Sequence, residues 1–151
     1  MKRSEKFFLE GYNCAQSVFC AYVEEFGISK DTALKLSSAL GGGVGRMREI
    51  CGAFSACAML AGLKFSDASA DAESKRKIYE FTQKLAEIFK AENGSIICRD
   101  ILKLQEGAPV SATPQKRDAK YYAERPCLLV IKKASEIIER EIMDAKKIGL
   151  P

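Results

Sequence analysis

Leu40-Gly-Gly-Gly-Val-Gly-Arg-Met-Arg-Glu-Ile-Cys-Gly-Ala-Phe-Ser-Ala-Cys-Ala-Met-Leu-Ala-Gly62 decides the fold of this chain. Four of the eleven glycines fall between Gly41 and Gly45, where a backbone free of Cβ atoms takes positive φ and comes close to its neighbours. From Ile50 to Leu63 no residue is charged. A helix over that segment has no wet face, so it is buried on most of its circumference and the other elements pack around it. Cys51 stands at its mouth. A thiol in the first turn of a helix meets unpaired backbone N–H groups and the positive end of the helix dipole, and both favour the thiolate.

Upstream, Ser4 to Glu10 reads as a short helix with Phe7 and Phe8 on its buried side. Asn13 is a good N-cap, and Gln16 stands three residues later where it can return the bond, so Cys14 becomes the first helical residue. Ala15, Val18, Phe19, Tyr22 and Phe26 then form an apolar stripe that stops at Gly27. Ser29 caps a helix over Lys30 to Leu40, with Ala33, Leu36 and Leu40 inward.

Downstream, an amphipathic helix runs from about Ala72 to Glu92 with Ile78, Phe81, Leu85, Ile88 and Phe89 inward, and Asn93-Gly94 stops it. Ser95 begins a short helix with Cys98 in its first turn. Gln105 to Arg125 carries Gly107, Pro109 and Pro114 among polar residues and reads as a surface excursion. Pro126 opens the last helix, Cys127 to about Lys147, whose inward residues are Val130, Ile131, Ala134, Ile138 and Ile142. No strand alternation and no internal repeat occurs. The expected class is therefore all-α: a compact bundle of about six helices around a glycine-preceded buried helix. A chain of 151 residues fits one domain, spanning residues 1–151.

Composition narrows the chemistry. The net charge of +4 comes from 24 basic and 20 acidic residues that are interleaved, which leaves no basic tract for nucleic acid. The N-terminus lacks the apolar run of a signal peptide, and Ile50 to Leu63 falls short of the ~20 residues that span a bilayer. The expectation is a cytoplasmic protein without a membrane partner. Six cysteines in that compartment are reduced, metal-bound or redox-cycling rather than a disulfide frame. The chain has no histidine. That removes Ser-His and Cys-His nucleophiles, His-containing zinc sites, His general bases and bis-histidine haem, so no haem is expected.

Cys14, Cys51, Cys98 and Cys127 all fall at the starts of separate expected helices, tens of residues apart, so a shared site must be assembled by the fold. Cys20 and Cys57 each follow a member of that set by six positions, a helical rotation of about 240°. Neither pair can face one ligand, and Cys20 and Cys57 read as buried small hydrophobes. No Cys-x-x-Cys is present, against a thioredoxin dithiol, a zinc knuckle or a ferredoxin loop. The glycine loop lacks the Gly-Lys-Ser/Thr ending of a phosphate-binding P-loop. Gly43 and Arg46 in it are candidate cofactor-binding residues, and Arg46 and Arg48 could stabilise a thiolate or an anionic cluster.

Gly11-Tyr-Asn-Cys-Ala-Gln16, Gly41-Gly-Gly-Val-Gly-Arg46, Cys51-Gly-Ala53 and single cysteines at Cys98 and Cys127 together resemble the C_GCAxxG_C_C family of redox-active proteins, also found as a domain of split-Soret cytochrome c. The resemblance maps the family's four cysteines onto Cys14, Cys51, Cys98 and Cys127. It implies redox activity, and in the cytochrome relative an iron-sulfur centre accompanies the haems. Ala56 stands where the family motif has its last glycine.

The leading expectation is a redox-active protein, an oxidoreductase or an electron carrier, whose four thiolates meet at one catalytic and metal-ligating site. They would hold an iron-sulfur cluster or a single zinc or iron ion, or cycle between dithiol and disulfide. The competing expectation is a non-enzymatic helical module with structural zinc or simply buried cysteines. A redox partner follows from the first reading, and a homodimer from the large apolar surface of the central helix.

Overall fold

The structure is a computed structural model and describes residues 1–143. It is all-α. The helices are α1 (Arg3–Leu9), α2 (Cys14–Cys20), α3 (Lys30–Ser37), α4 (Gly52–Phe65), α5 (Ala72–Asn93), α6 (Cys98–Ile101), α7 (Ala119–Glu124) and α8 (Cys127–Ile138). α8 runs on into a π-helical turn, Glu139–Met143. The sequence expectation of its end near Lys147 lies outside the described residues.

α4 is the centre of the bundle. Ala53, Ala56, Leu60 and Ala61 are fully buried, and α2, α5 and α8 of the same chain cover the helix. Small residues let the neighbouring backbones approach, and Phe54 meets Phe89 of α5 edge to face at 5.5 Å. α8 supplies Ile131, Ala134, Ile137 and Ile138, all fully buried. Among the described residues, no helix is long and apolar enough to cross a membrane.

Four local expectations change. The second helix stops at Cys20, and Val23–Phe26 forms a tighter 3-10 turn closed by Gly27 at φ 73°. α3 buries Ala33 and Ser37, four residues apart, while Leu36 is 55% exposed. The small pair faces α2, which leaves the leucine a turn's fraction away in solvent. α5 buries Leu85 and Phe89 completely, and the other expected inward residues, Ile78, Phe81 and Ile88, are partly buried against the core. Finally, the excursion from 105 to 125 contains α7, capped by Asp118, whose carboxylate accepts from Tyr121 N at 2.9 Å.

Candidate functional site

Each of the four helix-start cysteines is placed by local backbone chemistry. The Asn13 side chain accepts from Gln16 N at 2.9 Å and the Gln16 side chain accepts from Asn13 N at 3.1 Å, which fixes Cys14 as the first residue of α2. Asn13 also donates to the Ser38 carbonyl at 3.0 Å, tying that start to the end of α3. Cys127 opens α8 directly after Pro126.

Cys51 and Cys98 are set opposite one another by a short antiparallel pairing. Ile50 and Ile97 form an isolated bridge, Cys51 N donates to Ile96 O at 2.7 Å, and Cys98 N donates to Glu49 O at 2.6 Å. Cys51 caps α4 and Cys98 begins α6.

The glycine loop makes the approach possible. From Gly42 to Arg46 every residue has positive φ, including Val44 at 64° and Arg46 at 60°. Non-glycine residues there are strained, a β-branched valine most of all. Hydrogen bonds from Gly45 N to Ala39 O, Arg48 N to Gly42 O and Glu49 N to Gly43 O hold the left-handed turn. Gly43 stands behind the wall of the site: a Cβ on it would meet Cys98 Cβ and Glu49 N, each at 2.6 Å. At Gly52 a Cβ would meet Cys14 Sγ at 2.5 Å. These two glycines let Cys98 and Cys14 reach their places.

The result is one cavity of about 400 Å³ bordered by Cys14, Cys51, Cys98 and Cys127. Cys20 and Cys57 do not line it; both are packed in the hydrocarbon core, 2% and 1% exposed. Arg46, Arg48, Arg117 and Arg125 line the same cavity with Tyr121, and among the described residues no aspartate or glutamate does. Arg48 is buried and donates to Cys98 Sγ at 3.7 Å. Arg46 donates to the Ser111 carbonyl at 2.6 Å and to that of Thr113, drawing the 105–118 segment over the glycine loop. Arg117 lies over the Phe8 ring at 4.3 Å and donates to the Phe8 and Tyr12 carbonyls. Arg125 lies over Tyr121 at 4.9 Å and donates to Gln115.

The electrostatics reverse one expectation. The helix starts were expected to lower the thiol pKa values, but burial dominates. It pushes Cys14 up, against backbone N–H groups of Gly42, Ala15 and Gly52 that pull it back. Cys51 is held well above its ordinary value by burial and by Cys14, although N–H groups of Phe54 and Ala53 oppose the shift. Cys127 is pushed up to about 11 by burial and by Cys14, with Arg125 pulling down. At neutral pH these thiols keep their protons. All six cysteines are free.

The helix-start pattern could find Cys14, Cys51, Cys98 and Cys127, and proximity in sequence could find Arg46 and Arg48. It missed Arg117, Tyr121 and Arg125. Their one local signal was the Asp118 cap, which placed Tyr121 in a helix leading toward Cys127.

The model of the family described as "Putative redox-active protein (C_GCAxxG_C_C)" matches residues 12–141. The chain belongs to this family. No curated protein and no solved structure matches it. Within the C_GCAxxG_C_C match lie all four cavity cysteines, the glycine loop and the four arginines.

Proposed function

We propose that Cys14, Cys51, Cys98 and Cys127 hold an iron-sulfur cluster in this cavity, through which the protein exchanges electrons with a redox partner. The observation that carries the reading is selective convergence. Of six cysteines, the four that border one cavity are those at helix starts, and the two that follow six residues further along are not.

The donor set fits such a group. Four thiols with, among the described residues, no histidine or carboxylate beside them form the soft ligand set that selects iron-sulfur clusters or zinc. A single tetrahedral zinc draws its sulfurs to about 2.3 Å from one point. Among the described residues, no group of three such donors is arranged to hold one ion. A cluster spreads its ligands over more than one metal atom, which suits thiols distributed around a cavity.

A bound cluster supplies one-electron chemistry. The chain's own contribution is threefold. The thiols release their protons on ligation, which makes binding stronger as pH rises. Backbone N–H groups at the starts of α2 and α4 and the guanidinium of Arg48 face sulfur, and hydrogen bonds and positive charge there favour the more negative, reduced state. Tyr121 and residues of the 112–117 stretch form part of the cavity wall.

Anaerobic purification with assay of iron, acid-labile sulfide and zinc tests the proposal. Iron and sulfide in stoichiometric amounts, with visible charge-transfer absorbance, are expected. Zinc without iron would replace the cluster by a structural ion. Metal-free protein whose thiol count changes reversibly with reductant would replace it by disulfide cycling. Six unreactive thiols throughout would end every active reading.

A further inference from the structure

The eight arginines of the chain divide evenly. Arg3, Arg76, Arg99 and Arg140 each pair with a glutamate at the surface. Arg46, Arg48, Arg117 and Arg125 line the cavity, and among the described residues none of them forms an ion pair. Their hydrogen bonds go to neutral groups: backbone carbonyls, the Gln115 amide and the Cys98 thiol. Concentrating like charge in a partly buried space without counter-charge is unfavourable. The cost is visible at Arg46, whose pKa is lowered by burial and by the neighbouring Arg48 and Arg125.

The cysteines do not balance that charge. Even four thiolates around a positively charged cluster core would carry less negative charge than four guanidinium groups carry positive. Arg117 is engaged structurally, stacked between Phe8 and Tyr121 with two carbonyl acceptors. Arg46, Arg48 and Arg125 each retain N–H donors beyond the bonds they make. A guanidinium fork matches the paired oxygens of a carboxylate, sulfate or phosphate.

We infer that the cavity binds a small oxyanion through Arg46, Arg48 and Arg125, beside Cys98 and Cys127. This goes beyond the cluster proposal and does not require it, since the arginines face the cavity whatever the cysteines hold. The volume of about 400 Å³ falls in the range of small-molecule sites. The oxyanion is thereby placed next to the thiols, where an anionic substrate of a redox site belongs.

Calorimetric titration of the full chain with sodium sulfate, sodium phosphate or sodium malonate, at ionic strength held constant with sodium chloride, tests this. Iron is assayed in the same samples. Saturable binding of at least one of the three is expected, and the strongest identifies a tetrahedral or a carboxylate ligand. R125Q and R46Q should each weaken it about tenfold or more, the scale of one charge-assisted bond. R76Q, at a surface arginine already paired with Glu73, should leave it unchanged. Because Arg46 also holds the 105–118 segment, alkylation of Cys127 provides a second readout. In wild type the bound anion should slow it, and in R125Q it should not. Absence of saturable binding by all three anions overturns the inference, as does binding that R46Q and R125Q both retain in full. Iron-free protein that binds the anion would defeat only the cluster proposal, and iron-loaded protein that ignores all three would defeat only this one.

Discussion

Six residues apart on one helix, chemically identical side chains stand in opposite settings. Cys14 and Cys20 lie on α2, and Cys51 and Cys57 frame the first half of α4. The earlier member of each pair meets a cavity, backbone N–H groups and arginines. The later member is sealed in hydrocarbon, and burial pushes Cys57 up to about 12. Residue type alone therefore says little about a cysteine. Its position, at the unpaired N–H end of the helix or further along it, decides whether it faces cavity or core.

The sharpest way to break that comparison is to remove one thiol from each class. Cys51→Ala should abolish stoichiometric iron and the visible absorbance, because a missing ligand leaves the cluster three thiolates. Cys57→Ala should keep both and cost about 1 kcal/mol in chemical denaturation through the small void it leaves. If the two variants retain iron equally, the distinction between cavity and core cysteines has no functional meaning.

A second contrast lies between two glycines of α4. Gly52 has Cys14 Sγ, the Leu40 carbonyl and Ala15 N crowded where its Cβ would be, at 2.5 to 3.0 Å, whereas at Gly62 nothing lies within 4 Å. Gly52→Ala must push Cys14 or the backbone away, and overpacking of this kind costs roughly 1–3 kcal/mol. Gly62→Ala removes backbone freedom from the unfolded chain without a clash and should stabilise by about 0.5–1 kcal/mol. Denaturation midpoints moving in opposite directions are expected. Equal and harmless effects would show that the close approach of α2 to α4 is not needed to place Cys14.

How much of this was legible follows from the range of each signal. The starts of α2 and α8 were readable because caps are local: Asn13 with Gln16, and Pro126 before Cys127, state their own geometry. The burial of α4 was readable from an uninterrupted apolar run. Three things were not. The left-handed conformation of Val44, Arg46 and Arg48 is imposed by the hydrogen bonds of the whole loop, against the preference of each residue. The approach of Arg117 and Arg125 to Arg46 depends on how the 105–125 excursion folds back, and no periodicity announces it. The direction of the thiol shifts depends on depth, which a position at a helix start does not reveal.

That last reversal gives the finest test of the comparison, through pH. In the unfolded chain the Cys127 thiol ionises near its ordinary 9.0, whereas in the folded chain it holds its proton to about 11. Between those values the unfolded state has lost a proton that the folded state keeps, so raising pH favours unfolding. The contribution is fully present below about 9 and is lost as pH rises toward 11. Chemical denaturation of reduced, metal-free protein should therefore show stability falling across that window, and more steeply in wild type than in Cys127→Ser. The groups that oppose or reinforce the shift are those facing the sulfur: Arg125 and Arg117 pull it down, Cys14 and Cys98 push it up. Ligation to a cluster would take the proton in advance, so stability of iron-loaded wild type should fall less steeply over this window than that of metal-free wild type. Equal slopes would mean that Cys127 keeps its thiol proton in the loaded protein and is not a ligand.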